Sequence, residues 1–143
     1  MRRIVIACCL LIASSVFAQP TDEAVKKELK SFQGKWAANY AQDFNGNEQT
    51  NAELQLISLE VDGDMFTMKT GSLTIKGSFT VDPSKKLKTI DVFLGENKET
   101  VLRGIYEIKG DTRKSCFAMP GKDRPTEFRK GKDYMIMEWR ADK

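Results

Sequence analysis

The feature that most constrains the fold is a series of short alternating runs, each ended by residues that favour turns. After Gly34, apolar and polar residues alternate, and separators such as Asp62-Gly63 and Gly110-Asp111 interrupt them. Alternation with a period of two predicts strands, and these separators predict hairpin turns. The eight predicted strands cover residues 35–44, 52–61, 65–69, 72–81, 88–95, 100–109, 112–119 and 133–141.

Eight consecutive strands joined by hairpins predict an all-β fold. The specific prediction is an eight-stranded up-and-down antiparallel barrel, because closure removes the exposed edges of an open sheet. Only the last connection, residues 120–132, is expected to be long. A β-sandwich is the alternative fold.

One short helix is predicted ahead of the strands, over residues 22–32. Thr21 is a suitable N-cap, and Asp22 and the following Glu favour the positive end of the helix dipole. Val25, Leu29 and Phe32 then recur at helical spacing. We expect this helix to pack on the domain.

Residues 1–18 have the pattern of a secretory signal peptide. Arg2 and Arg3 precede an apolar run, and Val16-Phe17-Ala18 places small residues where a signal peptidase cuts. The run is shorter than a bilayer-spanning helix requires, so a membrane anchor is less favoured than a signal peptide. Lipidation of Cys8 is also less favoured, because only four apolar residues precede it. We therefore expect an exported protein, periplasmic or secreted, whose single domain covers residues 19–143 and has no membrane span.

The composition excludes several function classes. The chain has no His, which removes the usual bases of nucleophilic catalysis and the commonest zinc ligand. A net charge of +3, two units of it from Arg2 and Arg3, is too small for a nucleic-acid binder. Loss of Cys8 and Cys9 with the leader leaves Cys116, in a strand-like run, as a buried thiol that cannot form an internal disulfide.

No group of residues predicts catalysis, a metal or a cofactor. Glu107, Glu127 and Glu138 are not spaced as a glycosidase-like pair, and Asp62-Gly63-Asp64 reads as a turn rather than a calcium loop. The lysines at 85, 86 and 88 are the type of cluster that can hold a phosphate or an anionic polymer, but three lysines at a turn are more typical of a solvated surface. We expect a non-enzymatic monomer without a cofactor.

Strand parity predicts which end of the barrel is closed. In an eight-strand meander the last strand ends where the first begins, so Gly34, Trp36 and Arg140 are expected together as a barrel floor. A guanidinium over an indole face would stabilise that end. Any ligand site should then lie toward the opposite end.

Alternation also predicts the residues that face the interior. The candidate barrel lining is Tyr40, Leu73, Ile75, Phe79, Tyr106, Ile108, Met135 and Met137. A mouth loop is expected to carry Arg124, Thr126, Glu127 and Phe128, either tying the loop to the barrel rim or contacting a ligand directly.

Several segments together resemble a known family. The pattern G-x-W at Gly34 to Trp36 with an Arg near the last strand's end resembles the lipocalin and fatty-acid-binding (calycin) barrels. The further segments are Phe32-Gln33-Gly34-Lys35-Trp36, Gly77-Ser78-Phe79, Asp82-Pro83-Ser84-Lys85-Lys86, Thr89-Ile90-Asp91, Gly104-Ile105-Tyr106-Glu107, Gly110-Asp111-Thr112, Cys116-Phe117-Ala118 and residues 121–128. They resemble an uncharacterised secreted lipocalin-like domain family abundant in planctomycete-type bacteria, from which the chain departs at Arg113, where that family commonly has an aliphatic residue.

The resemblance implies the fold and export but no activity. Two functions are therefore left open. The first is binding of one small apolar or amphipathic molecule inside the barrel. The alternative is an extracytoplasmic structural or protein-interaction module whose barrel is filled by its own side chains.

Overall fold

A computed structural model describes residues 19–143, and its elements follow the predicted order with one addition. The predicted signal peptide, residues 1–18, lies outside the described residues. The elements are α1 (Asp22–Lys30), β1 (Gly34–Gln42), α2 (Asn51–Leu54), β2 (Ile57–Asp62), β3 (Met65–Thr70), β4 (Leu73–Asp82), β5 (Lys88–Leu94), β6 (Thr100–Lys109), β7 (Thr112–Ala118) and β8 (Tyr134–Ala141).

The eight strands form a closed antiparallel up-and-down barrel, as predicted, and not a β-sandwich. Each strand pairs with its neighbours in sequence, and β1 pairs with both β2 and β8, which closes the sheet. Gly63 and Gly110 have φ values of 62° and 61° in two of the hairpin turns, a left-handed conformation that glycine adopts readily. The turn residues of the sequence thus mark the reversals of the barrel.

Helix α1 forms for the reasons the sequence indicates and lies against β4. The Thr21 Oγ1 accepts a hydrogen bond from the Ala24 N–H, 3.2 Å away, which caps the helix. The helix ends at Lys30, two residues earlier than predicted, and Phe32 after it is only 1% exposed. The segment that follows the helix therefore carries the apolar anchor.

The barrel has two dissimilar ends. The end that we call the closed end holds α1 and the turns at Gly63, 83–87 and 110–111. The opposite, open end holds the two longest connections, 43–56 and 119–133, together with the turns at 71–72 and 95–99. This division follows from strand parity, as expected.

The connection between β1 and β2 differs from the prediction. Residues 52–54, predicted as the start of a strand, belong to the short helix α2, and the strand begins at Ile57. A capping box explains the helix, because the Thr50 N–H donates to Glu53 Oε2 at 2.7 Å while the Glu53 N–H donates to Thr50 Oγ1. The connection 119–133 is consequently not the only long one.

An irregularity in β1 changes which residues face inward. Ala38 pairs with Trp139 and Tyr40 pairs with Glu138, so Asn39 is an extra residue in the β1–β8 ladder. A bulge of one residue reverses the alternation beyond it. Trp36, Ala38 and Ala41 accordingly pack in the inner core, whereas Tyr40 does not.

Candidate functional site

A cavity of about 290 Å³ lies inside the barrel. Its wall is almost entirely apolar, and of the lining side chains within residues 19–143 only Arg113 is charged. The lining residues are Phe32, Phe44, Leu59, Val61, Phe66, Met68, Ile75, Phe79, Ile90, Val92, Leu94, Leu102, Tyr106, Arg113, Ser115, Phe117, Met135, Met137 and Trp139. The volume is near the lower end of the range for small-molecule sites, so it suits one small ligand.

Two glycines keep the inner wall open to large rings. A Cβ at Gly77 would lie 2.8 Å from the Phe66 ring, and one at Gly104 would lie 2.5 Å from the Phe117 ring. Both rings line the cavity. Glycine on the inner face thus leaves the space that these aromatic rings from the neighbouring strands occupy.

Aromatic packing and hydrogen bonds seal the closed end. The Trp36 Nε1–H donates to the Phe32 carbonyl at 2.8 Å, and the Phe32 ring lies 5.2 Å from Phe79 and 5.0 Å from Tyr106. The Gln33 amide donates to the Gly63 carbonyl at 2.9 Å and accepts from the Gly63 N–H at 2.7 Å. These contacts fix the segment after α1 across the barrel end.

Arg113 is the functional candidate that sequence reasoning missed. Its Cζ lies 4.7 Å from the centroids of both the Phe32 and Trp36 rings, and the residue is 6% exposed. Within residues 19–143 no carboxylate lies within 4.0 Å of the guanidinium. Burial lowers the pKa of Arg113, because the low-dielectric interior disfavours the cation, and Tyr106 partly opposes this.

The predicted role of Arg140 is therefore wrong. Arg140 is exposed and pairs with Ala37, and Arg113 takes the position over the Trp36 indole. Trp139 faces the cavity, so the neighbouring Arg140 must face outward. The sequence did contain a signal for the position of Arg113. Arg113, Ser115 and Phe117 are at alternate positions of β7 and therefore share its inner face.

Two other polar side chains that line the cavity, Tyr106 and Ser115, already have partners. The Tyr106 hydroxyl donates to Glu28 Oε1 at 2.9 Å, and the Lys88 ammonium lies 2.8 Å from the same oxygen. Burial raises the pKa of Tyr106, and the adjacent Glu28 carboxylate adds to that effect. The Ser115 hydroxyl lies 3.5 Å from the Met137 carbonyl. Glu28 is thus neutralised from outside the cavity, unlike Arg113.

Five of the eight predicted lining residues line the cavity. These are Ile75, Phe79, Tyr106, Met135 and Met137. Ile108 packs against the inner core without lining the cavity. Leu73 is 57% exposed at the first position of β4, which lies at the open end. Its prediction as a lining residue is wrong because the strand begins there, beyond the enclosed part of the barrel.

Tyr40, also predicted to face inward, lies on the outer face of the barrel. It packs in a cluster that we call the outer cluster, formed by Ile105, Cys116 and Ile136 with Tyr40, Phe128 and Tyr134. Its hydroxyl donates to Glu48 at 2.6 Å. The bulge at Asn39 is the cause, because it inverts the parity that the sequence prediction assumed.

The predicted mouth loop folds onto the outer wall. The Arg124 Nη1 donates to the carbonyls of Ile90 at 3.1 Å and Gly104 at 2.9 Å and lies 2.7 Å from Asp91 Oδ1. Phe128 packs half-buried in the outer cluster. Thr126 and Glu127 are exposed, and Glu127 pairs with Arg129. The arrangement matches the fastening role foreseen for the loop.

This loop also covers the thiol. Cys116 is fully buried in a strand, as predicted, and it lies on the outer face of β7. Its Sγ lies 3.8 Å from the Arg129 carbonyl, and burial raises the pKa of the thiol. A buried thiol with a raised pKa is a poor nucleophile.

Comparisons with known proteins give no match: no protein-family model, curated protein or solved structure matches this chain. Within residues 19–143, no helix is both long and apolar enough to cross a membrane. The candidate site for a ligand is therefore the barrel cavity with the side chains that line it.

Proposed function

We propose that the protein is a non-catalytic binding barrel that holds one small apolar or amphipathic molecule in its cavity. The observation that carries this proposal is the apolar void of about 290 Å³ inside a closed barrel. A barrel whose only task is structural would gain stability by filling such a void, because every missing contact weakens the core. The unfilled interior therefore favours binding over the alternative of a filled structural or interaction module.

The open end is the proposed entrance. Ile75, Leu94 and Met135 line the cavity close to the ends of their strands at that side, and each is half-buried. The closed end is blocked by Phe32 and Trp36, both less than 5% exposed. A ligand would thus enter between the connections of the open end. The adaptable Met135 and Met137 side chains would then pack against its apolar part.

The proposal also includes export of the protein from the cytoplasm. The signal-peptide pattern of residues 1–18 and the resemblance to secreted lipocalin-like domains both support a periplasmic or secreted location. A monomeric carrier or sequestering protein for a poorly soluble molecule would suit such a location.

Titration with decanol, monitored by calorimetry and by tryptophan emission, tests the proposal. Both tryptophans of the chain report on the interior, since Trp139 lines the cavity and Trp36 stacks on Arg113. We expect saturable binding with one site per chain. Native mass spectrometry of the exported protein provides a second readout by detecting a molecule that copurifies with it.

A matched pair of variants locates the binding. Val92 lines the cavity, whereas Val101 lies on the outward face of β6, next to the inward Leu102. Val92→Phe should reduce the cavity and abolish decanol binding, while Val101→Phe should leave it unchanged. Equal binding by both variants, or none by the unmodified protein, would support the filled-module alternative.

A further inference from the structure

We infer that the ligand carries an anionic head group, a carboxylate in the simplest case, that the Arg113 guanidinium binds at the closed end of the cavity. This inference rests on the proposed function and specifies the ligand class. Its basis is a cation that lines the cavity, is 6% exposed, and has no carboxylate partner among residues 19–143.

The position of Arg113 is well defined. The Phe32 and Trp36 rings lie on it at equal distances of 4.7 Å, and Trp36 is itself held by its hydrogen bond to the Phe32 carbonyl. Stacking against aromatic faces restrains a guanidinium without using its N–H donors. The donors therefore remain available to a ligand, in the planar arrangement that matches a carboxylate.

The acidic side chain that contacts the cavity-lining Tyr106 cannot serve as the missing partner, because it already has partners of its own. Glu28 receives the Lys88 ammonium at 2.8 Å and the Tyr106 hydroxyl at 2.9 Å, both on the same oxygen. Glu28 also belongs to α1, which covers the barrel end from outside. The charge of Glu28 is consequently matched by Lys88, and the positive charge inside the cavity is left over.

Fold stability alone does not account for the cation. The two cation–π contacts offset part of the cost of burying Arg113, but a buried charge without an ionic partner stays costly. Methionine could fill the space between the Phe32 and Trp36 rings without that cost. A bound anion would offset the desolvation of Arg113 and thus explains its presence on an otherwise apolar wall.

The geometry also sets the orientation of the ligand. Arg113 is at the start of β7 and Phe117 is four residues further toward the open end, about 13 Å along an extended strand. An anionic head at Arg113 would direct its apolar tail past Val92 and Ile75 toward the open end. The cavity volume fits a single short tail, so a two-chain lipid is excluded from the interior.

Three probes with the same tail and different head groups test the inference: decanoate, decanol and decylammonium. Calorimetric titration of the unmodified protein at neutral pH should show decanoate binding at least about tenfold more tightly than decanol, because a charge-assisted bidentate contact is added. Decylammonium should bind more weakly than decanol, since it brings a like charge to Arg113.

Variants then assign the preference to Arg113. Arg113→Met should lose the advantage of decanoate while it keeps decanol binding, and Arg113→Lys should retain part of that advantage. Arg140→Met is the matched control, since Arg140 is exposed outside the barrel, and it should behave like the unmodified protein. Circular dichroism verifies that each variant is folded.

The outcomes separate the two proposals. Equal binding of decanoate and decanol by the unmodified protein would overturn the anion inference and leave the proposed function intact. Binding of neither probe would overturn both. A decanoate preference that persists in Arg113→Met would also overturn the inference. If Arg113→Met does not fold, the probe series on the unmodified protein and on Arg113→Lys still decides the matter.

Discussion

Two arginines of this barrel are treated in opposite ways. Arg124 on the outer wall contacts two backbone carbonyls and the Asp91 carboxylate, all within 3.1 Å. Arg113 on the inner wall is more deeply buried, yet its guanidinium stacks on two aromatic rings and has no carboxylate within 4.0 Å among residues 19–143. Where a partly buried guanidinium fastens a loop, as at Arg124, the chain supplies acceptors for its N–H groups. An unsatisfied one inside the cavity therefore points to a partner from outside the chain.

The inner core and the outer cluster also differ, in how completely the chain's own side chains fill them. Ile105, Cys116 and Ile136 of the outer cluster are each at most 2% exposed, and the chain's own connection 119–133 lies over them. The inner core is larger but surrounds a void. The outer cluster is therefore closely packed, whereas the inner core is not.

The largest effect should come from the ring that supports Arg113. Trp36→Ala should lower the free energy of unfolding by about 3–5 kcal/mol, because it removes a buried ring and its hydrogen bond. Urea denaturation followed by far-ultraviolet circular dichroism measures this. An unchanged midpoint would mean that the closed end contributes little to stability.

The next comparison uses the same truncation in the two clusters. Ile136→Ala in the close-packed outer cluster should cost about 2–4 kcal/mol, because it creates an enclosed cavity. Ile75→Ala should cost about half as much, since Ile75 is half-buried and already borders the void. Equal losses in urea denaturation would contradict the contrast between the clusters.

Much of this architecture could be predicted from local sequence, and the failures have physical causes. Alternation and turn residues predicted the barrel because the short hairpin turns, such as Asp62-Gly63 and Gly110-Asp111, are encoded by adjacent residues. The inward direction of Tyr40 was wrong because the bulge at Asn39 depends on pairing with β8. The position of Arg113 over Trp36 depends on how β7 lies across the closed end from β1, a long-range relation that single-sequence reasoning did not resolve.

The fastening of the loop gives a third, smaller effect. Arg124→Ala should cost about 1–3 kcal/mol, because two carbonyls lose their donor and Asp91 loses its counter-ion. Cys116 should become more reactive toward a thiol reagent, since the connection that covers it is released. In the unmodified protein the thiol should react slowly until unfolding. Lys122→Ala, at an exposed position of the same connection, is the control and should change neither quantity.

The smallest effect is expected at Arg140, which sequence reasoning had placed at the barrel floor. Arg140 is exposed on the outer face, so Arg140→Ala should change the free energy of unfolding by about 0.5 kcal/mol or less. Tryptophan emission should also stay constant, because Arg113 and not Arg140 lies over the Trp36 ring. A loss of 1–2 kcal/mol, the magnitude of about one cation–π contact with its packing, would instead support stacking of Arg140 on the Trp36 indole. Arg113→Met, by contrast, should shift the emission of Trp36 because it replaces the charged group stacked on that indole.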